Sequence, residues 1–238
     1  SIIVNCYNGE KFLSKCLNSI KAQTYKNFEL IFWDNQSTDK SKVIFKSYKD
    51  KRFHYFKSNI FTTLYKARNL AIKKTKGKFI SFLDTDDYWF KEKLEYQIQE
   101  FIKNDSIGMV YTNQIIFNKK TDFQKRYIEN IEPKYSESEK ILKRQGATIL
   151  TGVIKKKEYL KLKKGFNNKY NIIGDLDLFF RLSKQCKIKY IHKVLAVYRL
   201  HENNYLKTNK NSEIIELKDW YKNYILKQKY SNSREKKI

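Results

Sequence analysis

Four short apolar runs, each giving way at once to a polar turn or to hydrophobics at helical spacing, constrain the fold of this chain more than any other feature. Ile2-Ile3-Val4 leads to the turn-prone Asn8-Gly9, after which Phe12, Leu13, Cys16, Leu17 and Ile20 recur as on one face of a helix. Phe28 to Trp33 reads as a second buried strand, closed by Asp34-Asn35-Gln36-Ser37-Thr38-Asp39, where Ser37 or Thr38 is placed to cap the next helix. Phe53 to Phe56 reads as a third strand and Leu64 to Lys74 as a helix. Phe79-Ile80-Ser81-Phe82-Leu83 is a fourth strand that runs directly into Asp84-Thr85-Asp86-Asp87. Strands alternating with helices imply βαβ units on a mostly parallel sheet, whose crossovers set the carboxyl ends of the strands along one edge. Ligands of such open sheets bind outside those ends. The acidic clusters at Asp34 and at Asp84 to Asp87 each lie just past a strand, so both are expected at one crevice.

Farther along, the pattern predicts a helix from Lys91 to Lys103, two short strands at Met109 to Tyr111 and Gln114 to Phe117, and an irregular charged stretch from Lys119 to Lys143. A strand at Ile149 to Ile154, a helix at Leu176 to Ser183 and a strand at Val194 to Tyr198 follow. Between Glu213 and Lys229 the residues Ile214, Leu217, Trp220, Tyr221, Tyr224 and Ile225 are expected on one face of a basic helix. The organisation read from this is one α/β domain over residues 1–205, followed at 206–238 by a basic amphipathic helix and tail. A chain of 238 residues with 41% hydrophobic and 16% aromatic content is able to bury a substantial core and is far from the composition of disorder.

Lys and Arg outnumber Asp and Glu by 50 to 25, and a net charge of +25 favours an anionic partner: a nucleotide, a phospholipid surface, an acidic glycan or a nucleic acid. The richness in Lys, Asn, Ile, Phe and Tyr is equally what an AT-rich genome encodes. Cys6, Cys16 and Cys186 lack CxxC spacing, which argues against a disulfide framework or a zinc site and suits a reducing compartment, most simply the cytoplasm. No apolar run reaches the roughly 18 to 20 residues of a membrane-spanning helix. Because Ser1 begins inside a strand, a trimmed N-terminus is expected.

Asp84-Thr85-Asp86 sets two carboxylates at i and i+2 on a turn facing the crevice. A hard divalent cation is held in this way when phosphate oxygens complete its shell, and it then stabilises charge on a departing nucleoside diphosphate. Taken alone, the same three residues fit a solvated acidic turn or a helix N-cap. No GxGxxG follows the first strand, which removes a dinucleotide-dependent oxidoreductase. Nucleic-acid binding, suggested by charge and aromatics, lacks any helix-turn-helix, zinc-finger or RNP-type signature, and the acidic clusters would repel phosphate unless a metal intervened.

The order of motifs adds what none carries singly. Ser1-Ile-Ile-Val-Asn-Cys-Tyr-Asn8, Gln23-Thr-Tyr-Lys-Asn-Phe-Glu29, Asp34 to Asp39, Ala67-Arg68-Asn69, Phe82-Leu-Asp-Thr-Asp-Asp87 and Gly174-Asp-Leu-Asp177 make residues 1 to about 205 resemble the inverting family 2 glycosyltransferases. The resemblance implies a GT-A fold, Rossmann-like with a mostly parallel central sheet flanked by helices. It implies transfer of a sugar from a nucleotide-sugar donor, a UDP-sugar by analogy, to an acceptor hydroxyl with inversion, in glycan, polysaccharide or lipid-linked saccharide synthesis.

By that resemblance Asn5 and Tyr7 line the base pocket and Asp34 accepts a hydrogen bond from the base, although a carboxylate after a strand also serves as a turn-former. Arg68 approaches the diphosphate or orders the acidic turn, its alternative being a surface ion pair. Asp84 and Thr85 contact the donor, and Asp86, with Asp84 and His201, holds a Mn2+ or Mg2+ ion. Asp175 matches the general base, and an N-terminal helix cap is its alternative. Asp177 lies on another helical face and reads as structural. Two departures stand out: Gly174 where the family more often has Glu, and Gln36 where Gly is more usual. An inert nucleotide-sugar-binding module of the same fold is the alternative to an enzyme. The C-terminal helix has three open roles: docking on the catalytic domain, pairing with another subunit, or lying on the anionic inner face of a membrane near a lipid-linked acceptor.

Overall fold

A computed structural model describes residues 1–118, 120–128, 134–202, 204 and 209–226. The chain folds into a nine-stranded mixed sheet with helices on both faces. Strands β1 (Ile2–Cys6) and β2 (Leu30–Asp34) are buried along their whole length and pair in parallel, Asn5 opposite Trp33 and Cys6 opposite Asp34. Continuous apolar runs of this kind suit a strand covered on both sides. β3 (Phe53–Lys57) adds parallel to β2, and β4 (Phe79–Phe82) adds parallel to β1.

Helix α1 (Glu10–Lys21) buries Leu13, Cys16, Leu17 and Ile20 against one face, together with Phe45 of α2 (Ser41–Ser47). Helix α3 (Leu64–Ile72) covers the other face with Tyr65, Ala67, Ala71 and Ile72. The alternation expected from the sequence is present over this half.

The second half departs from expectation in instructive ways. The two short strands expected around 109–117 are one strand, β6 (Ile107–Asn118), which follows β5 (Tyr88–Trp89) and α4 (Lys93–Lys103). Its polar middle, Thr112-Asn113-Gln114, is a bulge and not a break. Asn113 Nδ2 donates to the Ile128 carbonyl at 2.7 Å and its Oδ1 accepts from Ile128 N, so the buried amide is satisfied within the sheet. The charged stretch from Lys119 to Lys143 contains an exposed strand β7 (Phe123–Arg126) and a helix α5 (Glu137–Leu142); residue 119 and residues 129–133 lie outside the described residues. Ser136 and Glu139 form a reciprocal capping box on α5, a start signal that the charge of the segment had obscured.

Strand β8 (Gly152–Lys155), begun later than expected because Thr148 to Thr151 form a turn, runs antiparallel between β4 and β6. Helices α6 (Lys156–Lys161) and α7 (Gly174–Gln185) precede the long β9 (Lys187–Arg199), which pairs with β6 and, through Ala196 and Val197, with β5. The strand order is β3-β2-β1-β4-β8-β6-β9-β5, with β7 hanging on β6.

Helix α8 (Lys210–Trp220) continues into a π-helical turn at Tyr221–Leu226. Residues 205–208, where the domain boundary was expected, and 227–229, the expected helix end, lie outside the described residues, as does the side chain of Ile225. The expected single apolar face is not formed: Leu217, Trp220 and Tyr224 pack on the α/β core, whereas Ile214 and Tyr221 are exposed. The helix is rotated because its carboxylates Glu213 and Glu216 also turn inward, toward hydrogen-bond donors. No described helix is long and apolar enough to cross a membrane.

Lys93 is 0% exposed, with its Nζ 2.7 Å from Gln97 Oε1 and 4.1 Å from the Trp89 ring centroid. Burial pushes this ammonium well below its usual pKa. The unfolded chain therefore binds a proton that the folded chain gives up, and stability rises with pH toward the unfolded lysine value of about 10.4, by up to about 1.4 kcal/mol per pH unit. In Lys93→Met this slope disappears; urea titrations at pH 8, 9 and 10 should show the parent gaining on the variant at each step.

Candidate active site

Two loops at the carboxyl edge of the sheet are laced together by side chains. Glu10 N donates to Asp39 Oδ2 at 2.9 Å, Gly9 N to Ser41 Oγ at 2.9 Å, and Thr38 N to Asn8 Oδ1 at 2.9 Å. Asn8 and Gln36 both take left-handed backbone, φ 52° and 72°. Glycine adopts that region without strain, which accounts for its being the usual residue at the Gln36 position. Here the Gln36 carboxamide donates to the Ser58 carbonyl and holds the loop down on its neighbour.

Asp34, 1% exposed, ends β2 with both oxygens engaged: Oδ1 accepts from Ser37 N at 2.7 Å and Oδ2 from Tyr55 Oη at 2.5 Å. Each oxygen keeps a second lone pair. Burial and the Asp34 carboxylate push the Tyr55 phenol up, so it stays a donor. Beside it, the Asn5 carboxamide is buried with neither Nδ2 nor Oδ1 hydrogen-bonded, a condition that native interiors rarely tolerate without a ligand or water. Tyr7 is 55% exposed and meets Phe61 edge-on with centroids 4.8 Å apart. Phe61 was not singled out from sequence; it lies in a loop, and only its exposure marks it.

Arg68, on α3, is 2% exposed and reaches Asp84 Oδ1 at 2.5 Å, with Tyr65, Phe82 and Phe166 rings around its guanidinium. Arg68 is buried while Asp84 is partly exposed, so this is not the surface ion pair given as its alternative. The turn continues through Thr85, packed where a Cβ on Gly9 would stand, 3.1 Å away. Asp86 Oδ2 lies 2.9 Å from His201 Nε2, bringing together two of the residues expected to bind metal. Asp87 is fully buried; its Oδ1 accepts from Arg199 N, and burial, with Asp86 and Asp84, pushes its carboxyl well up. Arg199 Nε donates to the Asp86 carbonyl, so the end of β9 is stapled to the acidic turn. His201 in turn stacks near Phe12, centroids 4.7 Å apart.

Among the described residues no three of His, Cys, Asp and Glu converge closely enough to hold a metal alone. Two cis ligands of an octahedral ion at about 2.1 Å stand about 3 Å apart, which is the Asp86–His201 separation. A carboxylate and an imidazole, both partly exposed, suit a Mg2+- or Mn2+-type ion of which the protein would supply only part of the shell.

Asp175 opens α7 and is partly exposed. Its Oδ1 accepts from Leu176 N at 2.9 Å and lies 3.4 Å from Tyr65 Oη. Burial raises its pKa and Arg68 partly counters this, which moves the carboxylate toward the range of a useful base at neutral pH. Gly174 is required where it stands: a Cβ there would come within 2.5 Å of the Tyr65 ring. That ring is buried and anchored by Tyr65 Oη donating to the Ile172 carbonyl at 2.8 Å. Asp177 sits apart, buried, and accepts from Arg181 and from Trp220 Nε1. Cys6, Cys16 and Cys186 are free thiols.

The chain is 35% identical over 154 residues to the UDP-Glc:alpha-D-GlcNAc-diphosphoundecaprenol beta-1,3-glucosyltransferase WfgD of Escherichia coli, covering 65% of this chain and 59% of that protein. It thus spans about three fifths of that relative. A glycosyltransferase of Rickettsia prowazekii is 30% identical over 95% of this chain and 71% of its own length. Among solved structures, S. aureus TarS 1-349 in complex with UDP-GlcNAc superposes with a TM-score of 0.70 at 20% identity, over 87% of this chain and 60% of that one. The mannosyltransferase PcManGT from Pyrobaculum calidifontis, in complex with GDP-Man and Mn2+, gives 0.64 at 14% identity, over 86% and 57%. These two neighbours share the GT-A fold. Residues 1–161 match the description Glycosyl transferase family 2, and with a relative 30% identical over 95% of this chain, this chain belongs to glycosyl transferase family 2.

Proposed function

We propose that the chain carries the catalytic site of an inverting, UDP-sugar-dependent hexosyltransferase whose acceptor is a lipid-linked diphosphosaccharide. The observation that carries this reading is the convergence of Asp34, the Arg68–Asp84 pair, Asp86–His201 and Asp175 on one sheet edge. The relatives support the substrate class: WfgD is named for UDP-Glc and a diphosphoundecaprenol acceptor, and TarS was solved with UDP-GlcNAc.

In this reading the base packs on the exposed ring of Tyr7, beside Phe61, with its imide N–H on Asp34, and Asn5 lines the pocket. Arg68 holds Asp84 toward the donor, and Thr85 lines the donor path. Asp86, His201 and Asp84 hold the divalent cation, which when bound neutralises charge growing on the leaving diphosphate. Asp175 takes the proton of the acceptor hydroxyl as that oxygen bonds to the anomeric carbon. The bond from that carbon to the diphosphate breaks on the opposite face, and its electron pair leaves with UDP. Proximity and a fixed charge distribution supply most of the rate.

The outward side of α8 presents Ile214, Ile215 and Tyr221 beside Lys218 and Lys222. An apolar strip flanked by lysines suits peripheral contact with an anionic bilayer, where a lipid-linked acceptor resides.

Three outcomes follow. In calorimetry UDP binds when Mn2+ is present, and Asp86→Ala abolishes the metal-dependent part of the affinity. In a transfer assay with UDP-sugars, Asp175→Asn leaves UDP affinity unchanged and lowers kcat by about 10²- to 10⁴-fold, the usual worth of a general base. In flotation with vesicles containing phosphatidylglycerol at low salt, the full chain binds and Ile215→Asp with Lys218→Glu releases it; equal flotation of parent and variant would remove the membrane face.

A further inference from the structure

The inner side of α8 holds the segment that carries Asp175. Glu216 accepts three consecutive backbone N–H groups: Asn171 at 2.7 Å to Oε1, and Ile172 at 2.9 Å and Ile173 at 3.1 Å to Oε2. These groups sit immediately ahead of α7, whose N-cap residue Ile173 has no side-chain capping bond of its own. Successive N–H groups at a helix start form an anion-binding concavity, and Glu216 fills it from another element.

Contacts one turn to either side fix the same helix. Glu213 Oε1 takes Arg144 Nη2 at 2.6 Å, Asp219 takes Lys169 Nζ at 2.6 Å, and Trp220 Nε1 donates to Asp177 Oδ1 at 3.0 Å while its ring meets Phe180 edge-on. From the opposite side Tyr65 Oη donates to the Ile172 carbonyl. The peptide three residues before Asp175 is thus gripped at its carbonyl by α3 and at its N–H by α8.

A consequence concerns Asp175 itself. A carboxylate in the first turn of a helix ordinarily folds back to satisfy free N–H groups. With Glu216 serving those ahead of the helix, Asp175 Oδ1 accepts from Leu176 N at 2.9 Å and from Tyr65 Oη at 3.4 Å, and its Oδ2 has no hydrogen-bond partner among the described residues. We propose that Glu216 is a positioning residue of the transfer reaction: by capping residues 171–173 from α8 it fixes the segment that places Asp175 and leaves Asp175 Oδ2 free of capping. The proposal rests on the reading of Asp175 as the base, and it assigns the C-terminal helix a role in catalysis distinct from its outward face.

The test uses the full chain and the variants Glu216→Ala, Glu216→Gln, Asp175→Ala and Glu216→Ala/Asp175→Ala. Backbone amide exchange over 171–176, UDP calorimetry and transfer from UDP-glucose or UDP-GlcNAc are measured on each. Glu216→Ala should speed exchange at Asn171, Ile172 and Ile173, leave UDP affinity within about twofold, and lower kcat by about 10- to 100-fold, the cost of a misplaced group. Glu216→Gln keeps an oxygen acceptor and should recover part of that loss. In the Asp175→Ala background the second substitution should cost nothing further. Unchanged exchange, faster exchange with kcat retained, or the same loss in both backgrounds would each overturn the proposal. A parent chain that transfers neither sugar fails the transferase reading instead, and the exchange result still decides whether Glu216 holds the segment.

Discussion

The ion pair between Arg68 and Asp84 is the interaction on which the rest of the site depends. A guanidinium enclosed by Tyr65, Phe82 and Phe166 and 2% exposed cannot be left without an anion, and Asp84 is the carboxylate that reaches it. Removing Asp84 would leave the guanidinium an unpaired buried charge, a loss that typically costs about 3–5 kcal/mol. The pair joins α3 to the turn after β4 and so fixes where that turn begins. It also places a permanent cation near Asp175, which holds down a pKa that burial alone would push higher. One arginine therefore sets both the attitude of the acidic turn and the protonation range of the proposed base.

Four carboxylates at one sheet edge repel each other, and the structure separates them by giving each a different environment. Asp84 has Arg68, Asp86 has His201, and Asp175 sits at a helix start whose dipole favours an anion. Asp87 alone is sealed from water, and there burial with the neighbouring charges favours the protonated form. Arg199 threads among them, its backbone N–H on Asp87 and its Nε on the Asp86 carbonyl. The last strand in sequence thus closes over the first acidic turn, as β9 returns to pair with β5 directly after that turn.

The first half of the fold was legible because each step there is local. Strand, polar turn and amphipathic helix alternate within reach of one another, and the acidic clusters fall at strand ends by the topology of βαβ units. What escaped reading depends on partners distant in sequence. Nothing local to Thr112-Asn113-Gln114 announces that the backbone of Ile128 will satisfy Asn113 and let the strand run on. The inward face of α8 is set by Glu216 finding N–H donors some forty residues earlier, so an arc drawn through hydrophobics alone points in the wrong direction. In the candidate site, Asn5, Asp34, Arg68, the acidic turn and Asp175 were marked by motif, whereas Tyr65 and Phe61 carry no local signature.

The two departures from the family pattern have physical counterparts in this chain. At Gln36 a left-handed backbone that glycine would adopt freely is held by a side chain that donates to Ser58 across the loop. At Gly174 the missing side chain is matched by Tyr65, whose ring occupies the place where a Cβ would be. A glutamate at 174 would set a second carboxylate beside Asp175 and raise its pKa further by like-charge repulsion. With a phenol there instead, the charges acting on Asp175 include the attraction of Arg68 and Arg144 and the repulsion of Asp84. The exchange of a flexible acid for a ring anchored on the Ile172 carbonyl therefore removes a charge and adds a fixed wall in one step, and it makes the placement of Asp175 depend on the two elements, α3 and α8, that grip the peptide before it.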